Sequence, residues 1–161
     1  MASELVEISK AVTDDINSNV STFSVDFEEA NRFYAGSLDE ELKDLEVLHV
    51  DVVPVGYATS ELDDRNHWLF RCSADIGVRK RFRYSERDQN TGRILSADAD
   101  CLVDLVQEIF EFFSPRTLSN YTQANWHECV IRAAYSKRDI RQHGQFTGIV
   151  RVTYDVTKEN V

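Results

Sequence analysis

Hydrophobic residues recur with a helical period in two long segments of the chain. In the segment 3–18 the apolar positions are three or four residues apart and follow Ser3, a favourable N-cap. The segment 97–113 has the same period, with Ser96 as its expected N-cap, and it ends before Pro115. The pattern predicts two amphipathic helices. Their core-facing stripes comprise Leu5, Ile8, Val12 and Ile16 in the first, and Leu102, Leu105, Val106, Ile109 and Phe113 in the second.

A third, shorter helix is predicted over 38–45. This segment follows Ser37, which is a favourable N-cap, and it has room for about two turns. The connector 136–145 is basic and is expected to form one helical turn.

Alternation of apolar and polar residues predicts strands in five other segments. Pro54 cannot donate a ladder hydrogen bond, so the second strand is expected to end there or to lie at a sheet edge. The third strand would span about 60 Å if fully extended, and we therefore expect a bend at Gly77 or an arm that projects beyond the domain. Turns are predicted at 57–66 and 90–92. The five strand segments are 23–28, 47–55, 67–84, 126–135 and 146–156.

This order of elements predicts an α+β fold. Helices and strands do not alternate as they do in a parallel α/β sheet, so we expect a mainly antiparallel sheet with helices packed on one face and a long β-hairpin or arm. No internal repeat or linker divides the chain, and residues 1–161 are predicted to form a single domain.

Composition is typical of a folded globular chain. Its 161 residues are 42% hydrophobic and 29% charged, with six glycines and two prolines, which excludes disordered and collagen-like classes. No apolar run reaches the roughly 18–20 residues of a membrane span, and the first ten residues lack the apolar segment of a secretory signal. We therefore expect no contact with a membrane.

Charge is distributed unevenly along the chain. Residues 1–64 contain 16 acidic and 3 basic residues, a net charge of −13, whereas residues 65–161 have a net charge of +3, so that the whole chain carries −10. Such an acidic protein is not expected to bind nucleic acid nonspecifically, because neutralisation of phosphates supplies most of that affinity. The unlike parts could instead meet between two copies of the chain, or both could simply be solvated.

The basic run in the long predicted strand is the feature that most resembles a binding site. Alternation places Arg79, Arg81 and Arg83 on one side of the strand and Lys80 on the other. Three interpretations remain open: charges that protect an edge strand, a contact with the acidic segment of another copy, or nucleic-acid binding aided by nearby aromatic residues. The candidate subunit interface comprises Arg79, Lys80, Arg81 and Arg83 on the basic side and Asp39, Glu40, Glu41 and Asp44 on the acidic side.

Motifs for catalysis are lacking. The sequence has no phosphate-binding loop, dinucleotide-binding glycine pattern, zinc-protease motif or nucleophile elbow. Cys72, Cys101 and Cys129 are far apart and form no CxxC pair, and His127 with Cys129 supplies only two of the three or four ligands that zinc needs. We therefore expect no enzymatic activity, no cofactor and no metal.

The order and texture of the segments resemble the tail terminator (tail completion) proteins of long-tailed bacteriophages. The resemblance covers roughly residues 4–156. It begins with the amphipathic N-terminal helix and continues through FSVDFEEANRFYAGSLDEEL, VLHVDVVPV, the long strand WLFRCSADIGVRKRF, the helix LVDLVQEIFEFF and the closing strand FTGIVRVTYDV.

The resemblance implies a structural role in the virion. Such proteins form a hexameric ring that caps the tail tube, ends its polymerisation and offers a docking face to the head–neck connector. The implied partners are further copies of the chain, the major tail tube protein and the connector protein, while DNA passes through the pore without specific binding. The implied location is the tail or neck of the particle, after a period in the host cytoplasm.

Other functions remain open at this stage. A neighbouring neck protein of the particle would have the same sequence texture. A small cytosolic enzyme would need a pocket beside Trp126, His127 and Tyr135, and a host-directed binding module is a further alternative.

Overall fold

A computed structural model describes residues 3–36, 38, 41–62, 66–88, 90–91 and 93–159. The described residues form three α-helices and five strands, with short 3₁₀ turns at Val20–Thr22 and Tyr84–Glu86. In chain order the elements are α1 (Glu4–Asn17), β1 (Ala30–Arg32), β2 (His49–Glu61), β3 (His67–Arg81), α2 (Ser96–Phe112), β4 (Asn125–Ala133), α3 (Lys137–His143) and β5 (Gln145–Glu159).

The strands form one sheet in the order β1-β2-β3-β5-β4. Short β1 is parallel to β2, and the remaining neighbours are antiparallel. The predicted α+β class with a mainly antiparallel sheet is therefore confirmed. No helix in the described part of the chain has both the length and the apolar character needed to cross a membrane.

One face of the sheet packs against α1 and α2. The predicted stripes of both helices are buried, apart from Leu5, which is partly buried, and they meet alternate residues of β2, β3 and β5, such as Val52, Ile76 and Tyr154. Ser3 caps α1 as predicted, since its Oγ accepts a hydrogen bond from the Val6 amide at 3.4 Å. The prediction for Ser96 is wrong, because Leu95 is the N-cap and Ser96 is the first helical residue of α2.

The predicted strand 23–28 is not formed. Phe23 and Phe27 are buried, but they lie in a loop that packs onto α2, and the ring of Phe23 is 5.4 Å from that of Phe112. The first strand begins at Ala30 instead, where the Asn17 amide side chain donates to the carbonyl (3.2 Å) and accepts from the N–H (2.6 Å). Alternation here reflects anchoring of a loop by its aromatic residues rather than an extended strand.

The predicted helix over 38–45 is also wrong for the residues that the structure describes, while Ser37, Asp39 and Glu40 lie outside them. The Leu42 amide donates to Gln145 Oε1 at 2.7 Å, and its carbonyl accepts from Arg81 Nη1 at 3.0 Å. These side chains occupy backbone groups that a helix would pair internally. The segment instead places Leu38 and Leu42 against the face of the sheet opposite α1 and α2, which we call the second face.

The hairpin of β2 and β3 is longer than the sequence predicts. β2 continues to Glu61, so the predicted turn at 57–66 is wrong for residues 57–61, while its residues 63–65 lie outside the described residues. Pro54 is tolerated because β1 pairs only with residues 50–52, so Pro54 lies at an edge, which was one of the two expectations. The bulge lies between Pro54 and Gly56 rather than at Gly77, where the ladder is regular and Leu38 packs against the glycine.

The remaining predictions for this half of the chain are close to the structure. β3 pairs along its 15 residues with β5 and is not a free arm. The strands predicted at 126–135 and 146–156 correspond to β4 and β5. The connector between them forms α3, which is longer than the single turn expected and ends at Gly144 with a left-handed φ of 59°. The turn at Asn90 and Thr91 is confirmed, whereas Gly92 lies outside the described residues.

Candidate functional site

The second face of the sheet carries charges that are paired between neighbouring strands. Each pair joins an arginine to an aspartate through two guanidinium nitrogens, at distances of 2.7–3.1 Å. Such geometry is the strong, charge-assisted form of an ion pair. The pairs are Asp51 on β2 with Arg79 on β3, Asp75 on β3 with Arg151 on β5, and Arg71 on β3 with Asp155 on β5.

The structure places the basic run on both faces of β3 and just beyond its end. Arg79 is only 7% exposed and is bonded to Asp51, which leaves it little surface for another copy. Lys80 lies on the opposite side, 5.2 Å from the centre of the Phe82 ring. Arg83 follows the strand and forms an ion pair with Glu46 at 3.3 Å.

The acidic segment of the candidate interface lies beside the basic run of the same chain. Glu41 contacts Arg81 at 2.9 Å and His143 at 3.6 Å, and Asp44 contacts His49 at 3.1 Å. Asp39 and Glu40 lie outside the described residues. Opposite charges therefore meet within one chain. A contact between the basic run of one copy and the acidic segment of another stays a prediction.

A groove of about 390 Å³ lies on the second face between the 35–38 segment and the end of β4. Arg132 enters it with 49% of its side chain exposed, and its Nη1 is 3.6 Å from Asp75 Oδ2. Because Asp75 is already bonded to Arg151, the groove has one positive charge in excess. Sequence reasoning missed it, because its residues come from separate strands whose neighbours only the topology shows.

An acidic groove of about 490 Å³ lies at the edge of the sheet where β1 begins. Asp26, Glu28 and Glu29 are exposed around it, and Val47 and Leu48 supply its apolar part. The adjacent glutamates are visible in the sequence as an acidic cluster. The sequence did not show that they lie beside the edge strand, because residues 23–28 were themselves predicted to form a strand.

A basic groove of about 340 Å³ lies at the other edge, beyond the end of β4. Arg93, Lys137 and Arg141 are exposed around it, with Tyr135 and Ile140 as its apolar part. The basic character of the 136–145 connector was the signal for this groove. The sequence did not show that Arg93, in the loop before α2, lies beside this connector.

Burial disfavours ionisation of the two buried thiols, Cys72 and Cys129. Burial raises the pKa of Cys72 to about 11, with smaller contributions from Glu4 and Asp155, and burial likewise raises the pKa of Cys129. A thiol is a poor nucleophile and a poor metal ligand, since both roles need the thiolate. No group of three or more histidine, cysteine or acidic residues in the described part of the chain is arranged to hold a metal ion.

The residues considered for an enzymatic pocket do not come together. Trp126 donates to the carbonyl of Phe113 at 2.6 Å, and His127 lies 3.6 Å from Asp155. Tyr135 lies beyond the opposite end of β4, about nine residues or 30 Å along the strand. Comparison with known proteins finds no family model that matches the chain and no matching curated protein.

Proposed function

We propose that this protein is a structural component of a virus particle: a tail terminator whose copies form a ring on the end of a phage tail tube. The proposal combines the sequence resemblance with the geometry of the sheet. The ring ends polymerisation of the tube and offers its other side to the head–neck connector. A net charge of −10 suits a passage for DNA, because negative walls do not retain phosphates.

The observation that carries the proposal is the contrast between the two edges of the sheet. One edge is β1, which has 3 residues, and the other is β4, which has 9. A contact between unlike surfaces of identical chains is heterologous, and it produces a closed ring when the rotation between copies closes. Two different edges on opposite sides of one sheet supply the surfaces for such a contact.

Both edges also have features that limit indiscriminate strand pairing. β4 has register shifts near His127 and Arg132, and Pro54 with its bulge interrupts the part of β2 that β1 does not cover. Bulges and prolines at sheet edges disfavour edge-to-edge aggregation. Association is therefore expected to depend on side chains at specific positions, as an ordered ring requires.

The test combines native mass with the length of tail tubes. We expect the purified chain to form a ring, alone at high concentration or on contact with tubes of the major tail tube protein. Tubes polymerised with the chain present should stop at a defined length and show a cap by electron microscopy, whereas tubes made without it should be overlong. Binding to the connector but not to the tube would contradict the terminator and indicate a neighbouring neck protein.

A further inference from the structure

We propose that the basic groove of one copy binds the acidic groove of the next copy, and that this contact joins the ring. The inference rests on the proposed function, and it names the surfaces that the ring uses. It replaces the basic run of β3 as the main candidate, because Arg79, Arg81 and Arg83 already have acidic partners within the chain.

The two grooves lie at the same end of the strands and at opposite edges of the sheet. Ala30 of β1 is in register with Val50, Val50 with Val78, and Val78 with Gly148, whose neighbour Ile149 pairs with Ala133 at the end of β4. This row crosses five strands, or about 19 Å from edge to edge. When copies stand side by side in the same orientation, the β4 edge of one faces the β1 edge of the next, and the two grooves meet.

Their charges are complementary. Apart from Glu46, which lines the acidic groove and is paired with Arg83, the carboxylates, lysine and arginines that line the grooves are not neutralised by ion pairs with described residues. Asp26, Glu28 and Glu29 form no ion pair with any other described residue, and the same holds for Arg93, Lys137 and Arg141. Asp88 lies close enough to Arg93 to interact with its charge, but it does not line the groove. Three negative charges without an ion pair among the described residues therefore correspond to three such positive charges at the other edge.

Each groove also has an apolar part that a partner could cover. Val47 beside the acidic groove is 49% exposed, and Tyr135 in the basic groove is 44% exposed. An apolar centre with a charged rim is the usual anatomy of a specific protein interface. The charges would fix the register and orientation of the copies, while burial of Tyr135 and Val47 would add to the affinity.

Nucleic acid is a poorer occupant for the basic groove. Its three cations are surrounded by a chain of net charge −10, and phosphate binding depends on the excess of positive charge. The acidic groove has no role in that alternative, whereas a second copy uses both grooves at once.

The test is a charge-reversal experiment with rescue. One variant carries Arg93→Glu, Lys137→Glu and Arg141→Glu, a second carries Asp26→Lys, Glu28→Lys and Glu29→Lys, and a third combines all six changes. We expect each single set to weaken ring formation about tenfold or more, and the combined variant to recover it, because the attraction returns with its sign exchanged. Sedimentation velocity and electron microscopy measure the ring, and circular dichroism verifies that each variant is folded.

The control reverses two exposed cations outside the groove, with Lys10→Glu and Arg138→Glu, and it should assemble like the unmodified chain. The groove contact is wrong if both reversed sets assemble normally. It is also wrong if the combined variant stays monomeric while the unmodified chain forms rings. Neither result contradicts the proposed ring itself. If the unmodified chain stays monomeric even with tail tubes, both proposals fail. Binding of duplex DNA that the Arg93, Lys137 and Arg141 variant loses would assign the groove to nucleic acid and also overturn the contact.

Discussion

Arg79 and Asp51 show how one residue pair supports a whole face of the molecule. Two guanidinium nitrogens of Arg79 bond Asp51 Oδ2 at 3.1 and 2.7 Å, and a third reaches the Leu38 carbonyl at 3.4 Å. Both side chains are nearly inaccessible to water. The pair therefore holds Leu38 against the sheet as well as joining β2 to β3.

Loss of one partner is expected to be costly. Asp51→Ala leaves the Arg79 charge buried without a counterion, which should lower the free energy of unfolding by about 3–5 kcal/mol. Urea denaturation measures this change. The matched control is Glu46→Ala, which removes the partner of exposed Arg83 and should cost less than about 1 kcal/mol. Equal effects of the two substitutions would mean that the Arg79 pair is not buried in solution.

For the residues of β3, the sequence predicted to which side of the strand each side chain points but not how deeply it is buried. Alternation placed Arg79 on the side of β3 opposite Lys80, which the structure bears out through Asp51 and Phe82. It did not show that Phe33 and Leu38 would lie against Arg79. The placement of nearby Leu42 depends on long-range bonds to Gln145 and Arg81. Local patterns contain no information on such contacts.

Among the elements, α2 and β5 approach each other closely at Gly148. Gly148 faces α2, and a Cβ at this position would overlap the Val106 side chain and lie 3.0 Å from the Ala134 carbonyl. The helix approaches the sheet this closely only because residue 148 has no side chain.

Gly148→Ala should therefore push α2 away from the sheet and destabilise the fold by about 1–3 kcal/mol, the usual cost of overpacking. Thermal denaturation followed by circular dichroism measures the change. Gly36→Ala is the control, since nothing lies within 4 Å of its Cβ position, and it should be neutral or slightly stabilising. A Gly148→Ala variant as stable as the unmodified chain would show that α2 does not seat on β5 as described.

The elements that the sequence predicted well are those whose pattern continues for several turns or strand residues. α1, α2 and β5 each carry a long apolar stripe that is buried in the core. β4 was predicted from its alternation, although Cys129 is its one buried residue. The three residues of β1 are too few to show a period, and their strand depends on bonds from Asn17. Which strands form the edges of the sheet, and where the two grooves lie, depends on the strand order. The pattern of apolar and polar residues does not determine that order.

In the whole molecule, one set of charged residues forms ion pairs within the chain, and another set lines the two grooves without such pairs among the described residues. The pairs of Asp51 with Arg79, Glu41 with Arg81 and Glu46 with Arg83 use three of the 16 acidic residues in the first part of the chain. At one end of the sheet, acidic residues of the unpaired set line one groove and basic residues of that set line the other. The asymmetry along the sequence was compatible both with attraction between unlike surfaces and with two solvated faces. Only the fold showed which charges are already used within the chain.

The buried core also predicts how the molecule responds to alkaline pH. Burial raises the pKa of Cys72 from an ordinary value of about 9 to about 11, and it raises the pKa of Cys129 and Tyr154 as well. The folded state therefore holds these protons more tightly than the unfolded state. Stability should be complete below pH 9 and should fall as the pH rises towards 11, with Cys72 alone contributing a loss of about 3 kcal/mol.

Urea denaturation at intervals between pH 7 and pH 11 measures this loss. Cys72→Ala removes one of these titrations, so its free energy of unfolding should fall less steeply above pH 9, even though the smaller side chain lowers stability at every pH. Cys101→Ala is the matched control, because that thiol is exposed and its removal should leave the slope unchanged. An identical slope in all three proteins would contradict the buried position of Cys72, since a solvated thiol titrates alike in the folded and unfolded states.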